Sequence, residues 1–239
     1  MNRFELPNGI TYDDKKFNQV FLKEMTGVEQ DLLANSKYKS RVDHIEPILL
    51  NVIDKVEDSE GNKCSASNDI IVKDLLEIND IEFLLVKLKE ITYDEIHIQE
   101  SVECTHCKHK QDTKIELNSL EIIPPKEERD NIIKLPKSGK EVEFKHLCYK
   151  DLKKFAGDPE RLINNASTSA AAMRIKRIDD NYNVTEKDIK ALPAKDITEI
   201  NKKAPEGSRI DINFEHTCSK CEKDFNYDLE VLSPDFLTQ

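Results

Sequence analysis

Two Cys-x-x-Cys turns constrain the fold of this chain more than any other feature of its sequence. Each turn lies between two segments that alternate apolar and polar side chains, which is the pattern of a half-buried strand. These segments are 96–99 and 114–117 around the first turn, and 209–214 and 227–231 around the second. We therefore predict that each turn forms the tip of a β-hairpin. The four cysteines are Cys104, Cys107, Cys218 and Cys221.

Two such hairpin tips can supply the four thiolates of a tetrahedral structural zinc site, with Zn–S distances of about 2.3 Å. The two pairs are separated by 110 residues, far more than the roughly 15–20 residues of an ordinary zinc ribbon. Two other arrangements stay open: separate metal sites completed by His106 or His109, and a redox-active or unliganded pair of thiols. Glycine often follows the second cysteine of a zinc-binding turn, whereas this chain has Lys108 and Glu222 there.

An internal duplication would explain the long separation. A shift of 114 residues superposes the strand-like segments around one cysteine pair on those around the other without a gap. Upstream, Leu-Pro-Asn-Gly at 6–9 is echoed by Leu-Pro-Lys-Ser-Gly at 135–139, and the alternating segment 20–25 by 142–147. This repeated order predicts an α+β fold of two pseudo-repeated halves, each with short antiparallel strands and helices, joined by a zinc-ribbon-like four-cysteine site. Metal binding would then be part of folding.

We place the N-terminal half, with the first cysteine pair, at residues 1–123 and the C-terminal half, with the second pair, at 135–239. The linker between them, 124–134, begins with two prolines and continues into a charged run that cannot extend a strand. Helical periodicity predicts helices over 42–53 and 69–90.

A third helix is expected to start at Asp158 and Pro159, which suit an N-cap and the first helical position. The alanine-rich sequence that follows predicts its continuation to about Ile178. The remaining cysteines have weaker signals. Cys64 lies in a polar loop, where we expect an unpaired thiol, and Cys148 beside His146 suits a core position better than an extra metal ligand or a nucleophile.

The composition excludes several functional classes. With 36 Lys+Arg against 47 Asp+Glu, the net charge is −11, so broad attraction to nucleic acid or anionic lipid is disfavoured. The six glycines are too scattered for a phosphate-binding loop, and the HExxH and GxSxG motifs are absent. We expect no enzymatic activity and no small-molecule substrate. No segment approaches the about 18 apolar residues of a membrane span, and no secretory signal is recognisable, so a reducing cytoplasm is expected.

The segment 78–117 resembles the T4-type phage baseplate family. In the hub or central-spike subunit of that family, an apolar helix ends in a phrase similar to Lys-Glu-Ile-Thr-Tyr, followed by a strand, a CxxC and a second strand. Here the helix end reads FLLVKLKEITY at 83–93. The opening at 6–9 with 20–33, and its echo at 135–152, are also similar to proteins that assemble phage tails and baseplates.

This resemblance implies a non-enzymatic component of the baseplate hub, or a factor required for hub assembly, made as a late protein. Its partners would be other baseplate and tail proteins, and it would lie in the virion tail baseplate after assembly in the host cytoplasm. Two alternatives remain: an assembly chaperone that is absent from the mature virion, and a nucleic-acid-binding zinc ribbon. The net charge of −11 argues against the second.

Overall fold

The computed structural model describes residues 1–35, 42–93, 96–125, 130–156 and 166–238. The N-terminal half starts with an antiparallel three-stranded sheet in the order β1, β2, β3. The strands are β1 (Asn2–Tyr12), β2 (Lys15–Leu22) and β3 (Ile53–Glu57), and the helices of this half are α1 (Gly27–Ala34), α2 (Ile45–Val52), α3 (Asn68–Ile70), which continues into a π-helical turn at Ile71–Leu75, and α4 (Ile78–Thr92).

The first cysteine pair lies at the tip of an antiparallel hairpin, formed by β4 (Ile96–Glu103) and β5 (Lys110–Glu116). A 3₁₀ turn at Leu117–Ser119 leads to the short strand β6 (Ile122–Ile123). The second pair has the same position between β11 (Asn213–Thr217) and β12 (Asp224–Asp228). The prediction of two cysteine-tipped hairpins is therefore confirmed.

The C-terminal half repeats the layout of the N-terminal half. Its antiparallel sheet has the order β7, β8, β9. The elements are β7 (Ile132–Lys134), β8 (Glu141–Phe144), α5 (Tyr149–Ala156), α6 (Ala166–Arg174), β9 (Ile175–Ile178), α7 (Glu186–Lys190), α8 (Ala194–Lys203) and β10 (Arg209–Ile210), followed by β11, β12 and a 3₁₀ turn at Pro234–Leu237.

The two sheets match in register, which confirms the duplication. In both halves a helix runs without a break into the third strand. The first residue of that strand pairs with the last residue of the middle strand. These pairs are Leu22 with Ile53, and Phe144 with Ile175, one shift of 122 residues apart. A register shift directly precedes both pairs. The two halves are therefore structural repeats at the level of individual strand pairs.

The Leu-Pro segments at 6–9 and 135–139 also have matching roles. Each docks its backbone on an aspartate that is the third residue of a helix, Asp80 in α4 and Asp196 in α8. The Asn8 amide donates to Asp80 Oδ1 at 2.9 Å, and the Lys137 amide donates to Asp196 Oδ1 at 2.8 Å. The segment 6–9 is a bulge within β1, whereas 135–139 is a turn between β7 and β8.

Two predicted helices differ from the structure. The segment 69–90 is interrupted at Leu76 and Glu77, because Glu77 pairs with Cys148 in an isolated β-bridge. The helix predicted to reach Ile178 ends at Arg174, since the β-branched side chains of Ile175 and Ile178 are buried in strand β9. The predicted start of that helix, 158–165, lies outside the described residues.

The largest hydrophobic core combines side chains from both halves. It is built around α2, α4 and the first sheet, and receives residues from near and beyond the second hairpin: Ile210, Leu229, Val231, Phe236 and Leu237. A second core lies wholly within 135–204. Residues 132–134 of the predicted linker form β7, and 126–129 lie outside the described residues. The domain boundary at residue 123 stays a prediction.

Candidate metal centre

The four cysteines converge on one point between the two hairpins. Their sulfur atoms all lie within 4.8 Å of one another. The Sγ–Sγ distance is 3.8 Å between Cys104 and Cys221, and 3.6 Å between Cys107 and Cys218. A tetrahedron with metal–sulfur distances of about 2.3 Å has edges of about 3.8 Å, whereas a disulfide joins sulfurs at about 2.05 Å. The spacing therefore fits four thiolates around one ion.

The backbone of each turn is wound in the same way. In the first turn, the Lys108 amide donates to the Cys104 carbonyl at 3.0 Å, and the Cys104 amide donates to the His109 carbonyl at 2.9 Å. The second turn repeats both bonds 114 residues later. The residue after the second cysteine has a positive φ in both turns, 61° at Lys108 and 57° at Glu222. This left-handed conformation explains why glycine is common at this position.

The thiols of this cluster differ in how readily they ionise. Burial opposes ionisation of Cys218, but the backbone amides of Cys221 and Lys220 and the neighbouring thiols lower its pKa to about 6. The Lys223 amide lowers the pKa of Cys221, but burial and the three neighbouring thiols raise it to about 12. The first thiolate in the cluster thus forms readily, and its negative charge opposes ionisation of the next thiol. A divalent cation would remove this opposition, because it neutralises the accumulated charge.

Side chains outside the cysteines also join the two hairpins. The side-chain Nε2 of Gln111 donates to the Thr217 backbone carbonyl at 3.1 Å, and its Oε1 accepts from the Ser219 backbone amide at 2.8 Å. Thr113 and Tyr227, which are equivalent under the 114-residue shift, share a hydrogen bond of 2.6 Å. These contacts were not predicted from the sequence, although the 114-residue shift makes Thr113 and Tyr227 equivalent positions.

The histidines near the turns do not join the cysteines in this cluster of ligand atoms. The His106 Nε2 atom lies 3.0 Å from the Asp224 carbonyl, so this ring bridges the hairpins instead. The His216 ring packs edge-on against Phe225 at 6.1 Å between centroids. Among the described residues, the arrangement is therefore one shared four-cysteine cluster and not two sites completed by histidine.

With this geometry in place, comparison with known proteins identifies the family. The model of the T4 bacteriophage base plate protein family matches residues 4–237. This chain belongs to that family. Comparisons with curated proteins and with solved structures returned no match. Membership gives the chain a structural role in a phage baseplate and a location in the virion tail, where it contacts other baseplate or tail proteins.

The two remaining cysteines of this baseplate protein lie outside the cluster. Cys64 is buried in the main core although its sequence surroundings are polar. The Cys148 thiol donates to the Asp74 carbonyl at 3.1 Å, and burial raises its pKa to about 11. The His146 ring pairs with Glu77 at 3.2 Å. The Cys148 thiol is therefore kept protonated, which does not suit a nucleophile.

No helix within the described residues of this baseplate protein has the length and apolar character needed to cross a membrane.

Proposed function

We propose that this baseplate protein is a non-enzymatic subunit of the hub, in which one structural zinc ion holds the two pseudo-repeated halves in a fixed orientation. The ligands would be Cys104, Cys107, Cys218 and Cys221. The observation that carries this proposal is the convergence of their four sulfurs within 4.8 Å, from hairpins that belong to different halves. The resemblance of 78–117 to hub or central-spike subunits supports the place in the hub.

Zinc suits this donor set better than other common ions. Four thiolates in a tetrahedron are typical of structural zinc and of some iron sites, whereas calcium and magnesium prefer oxygen ligands. Because four protein ligands fill the coordination sphere, no position is left for water or substrate. The ion would supply charge neutralisation and geometric constraint, and the chain's own residues would make every contact to partners.

The proposed ion would join the halves at a small hydrophobic cluster beside the hairpin tips. The cluster around Cys104, Cys218 and Phe225 forms a small core of its own, separate from the two larger cores. Near the turns, the remaining links between the hairpins include the side-chain bonds of Gln111 and Thr113. Hydrogen bonds of this kind contribute about 1 kcal/mol each. Without the metal, the tips of the two hairpins should therefore separate before the main core unfolds.

A scaffolding role also fits the surface of the chain. Several large aliphatic side chains are about half exposed on strands, as expected for surfaces that are buried against neighbouring subunits. Within the described residues they include Ile96, Ile98, Ile122 and Ile132. A phage hub needs subunits that offer such surfaces in fixed relative positions, which is what a metal between two halves provides.

The test is a phage that carries variants of this gene. We expect mass spectrometry to find the protein in purified particles, and Cys218→Ser to reduce the yield of complete baseplates. The matched control is Cys148→Ser, which removes a thiol outside the cluster and should leave the yield unchanged. Detection only in infected-cell lysate would contradict the subunit role and favour a chaperone that leaves before assembly is complete. Equal yields with both variants would contradict the role of the cluster.

A further inference from the structure

The start of strand β4 presents an apolar edge. Ile96 and Ile98 lie two residues apart, so their side chains point to the same face of the strand, and each is 53% exposed. One side of β4 pairs with β5, and among the described residues no strand pairs with the other side. An open edge with aliphatic side chains is a site for aggregation unless a partner covers it.

The internal repeat shows how the equivalent position is covered in the other half. Under the 114-residue shift, Ile96 corresponds to Ile210 in β10. Strand β10 pairs antiparallel with β6, with Ile210 opposite Ile122 and Arg209 opposite Ile123. Ile210 also packs near α4 and is only 2% exposed. The same position is thus covered by an added strand in one half and open in the other.

The chain does not fill the open position with its own repeat of β6. The counterpart of Ile122–Ile123 is Phe236–Leu237, and the sequences ELNSLEII at 116–123 and EVLSPDFL at 230–237 match in two identical residues and a shared acid. However, Pro234 starts a 3₁₀ turn, and both Phe236 and Leu237 are buried in the main core. Sequence divergence after the duplication has therefore removed the second strand.

The displaced segment lies beside β4 without pairing with it. The Phe236 ring packs edge-on against the ring of His97 in β4, with 5.2 Å between centroids, but β4 forms its sheet with β5 alone among the described residues. The Lys89 ammonium donates to the Phe236 and Thr238 carbonyls at 2.6 and 2.7 Å. Between this segment and β4 lies a groove of about 600 Å³, lined by Ile96, Ile98 and Asp235 among others. The charged residues of this lining are Lys89, whose ammonium is bonded to the segment, and two exposed acidic residues, Glu230 and Asp235. The groove thus combines an open strand edge, aliphatic contacts and negative charge.

We propose that the β4 edge at Ile96–Ile98 is the docking site for an extended segment of another baseplate protein. The segment adds an antiparallel strand with two adjacent aliphatic residues, as β6 adds to β10. Backbone hydrogen bonds supply affinity, and the aliphatic side chains supply specificity. A basic residue beside the aliphatic pair complements the exposed Asp235. The identity of the partner as a baseplate protein rests on the proposed function, whereas the docking site itself does not depend on the metal.

The test uses a peptide with the sequence of residues 118–126, in which Glu121→Lys supplies the basic residue. Hydrogen exchange is followed by mass spectrometry on the full chain. At saturating peptide, amide exchange in 96–99 should slow by about tenfold or more. The effect should vanish with Ile98→Lys in the chain, and with Ile122→Pro in the peptide, which removes a backbone donor. Ile132→Lys, at a position 48% exposed on β7, is the matched control and should leave the protection unchanged.

Three results would overturn this proposal. Exchange in 96–99 that is unaffected by peptide would show that the edge does not accept a strand. Protection that persists in the Ile98→Lys chain, or that appears only at β10, would place the peptide elsewhere. Protection of 96–99 in the free chain that disappears on dilution would assign the edge to a second copy of this chain. None of these readouts depends on zinc content or on presence of the protein in the virion. Failure of the docking proposal can therefore be distinguished from failure of the proposed function.

Discussion

Asp80 is a buried carboxylate whose replacement should stabilise the protein at neutral pH. Its Oδ1 atom accepts the backbone and side-chain N–H groups of Asn8 at 2.9 and 3.1 Å, but its Oδ2 atom is buried without a hydrogen bond. Burial raises the pKa of Asp80 to about 7, the Asn8 amide opposes this, and the nearby Glu77 adds to it. The variant Asp80→Asn keeps the acceptor for Asn8 and removes the charge.

The magnitude follows from proton linkage. The folded state raises the pKa of Asp80 from 3.8 to about 7, and one pKa unit corresponds to about 1.36 kcal/mol, so the full effect is on the order of 4 kcal/mol. Because the folded state binds this proton more tightly than the unfolded state, the contribution of Asp80 is favourable below pH 4 and is lost as the pH rises through 7. Asp80→Asn should therefore gain stability relative to wild type between pH 5 and 8.

Urea unfolding of both proteins across this pH range measures the difference directly. The duplication supplies the control, since Asp196 has the equivalent position but accepts the amides of Lys137 and Ser138 on separate oxygens. Burial raises the pKa of Asp196, but these hydrogen bonds lower it overall. Asp196→Asn should thus be less stable than wild type at neutral pH, with a penalty that shrinks only in acid. A difference between Asp80→Asn and wild type that is constant from pH 5 to 8 would refute the reasoning.

Three further substitutions test other parts of the structure. Both ring nitrogens of His44 are buried without a hydrogen bond, and burial lowers its pKa to about 4. His44→Leu should therefore raise the free energy of unfolding by about 1–3 kcal/mol and remove the loss of stability that wild type shows as the pH falls from 6.5 to 4. A variant that is less stable than wild type at pH 7 would contradict this. Lys108→Gly should raise the free energy of unfolding by up to about 1 kcal/mol, because glycine adopts the positive φ at this position without strain. Lys108→Ala should give no such gain, and equal effects of the two substitutions would argue against backbone strain. Gly207→Ala should cost about 1–3 kcal/mol, because its Cβ would lie 2.6 Å from Asn8 Oδ1. Gly27→Ala, with no heavy atom within 4 Å, is the control in the same denaturation assay.

The parts of the fold that local chemistry determines could be predicted from the sequence. The two hairpins follow from alternating side chains around each cysteine pair. The presence of strand β8 follows from the match of 142–147 with 20–25, although β8 ends at Phe144. The repeat could be recognised although the shift is 114 residues in the hairpins and 122 in the sheets. The two shifts differ because the connecting segments are shorter in the C-terminal half. The matched aspartates Asp80 and Asp196 are already at a shift of 116, so most of the difference arises between the third strand and the helix that carries the aspartate.

The parts that depend on long-range contacts could not be predicted. No local sequence signal near Glu77 indicates its β-bridge to Cys148. The apolar periodicity therefore predicts one continuous helix over 69–90, where the structure has a break. The docking of 6–9 on Asp80 requires the backbone of one element to meet the first turn of another 72 residues away. Ile175 belongs to a strand because β8 is available as a partner, which outweighs the helical sequence before it. In each case tertiary contact overrides local preference.

The central claim of this account is one zinc ion shared by the two halves. Elemental analysis of the chain, expressed in zinc-containing medium and purified without chelator, tests it most directly. We predict about one zinc per chain for wild type and for Cys64→Ser, loss of the metal in Cys104→Ser and Cys218→Ser, and lower unfolding temperatures for these two variants. Wild-type protein that contains no metal, or zinc that is retained in full when Cys104 or Cys218 is replaced, would contradict the claim.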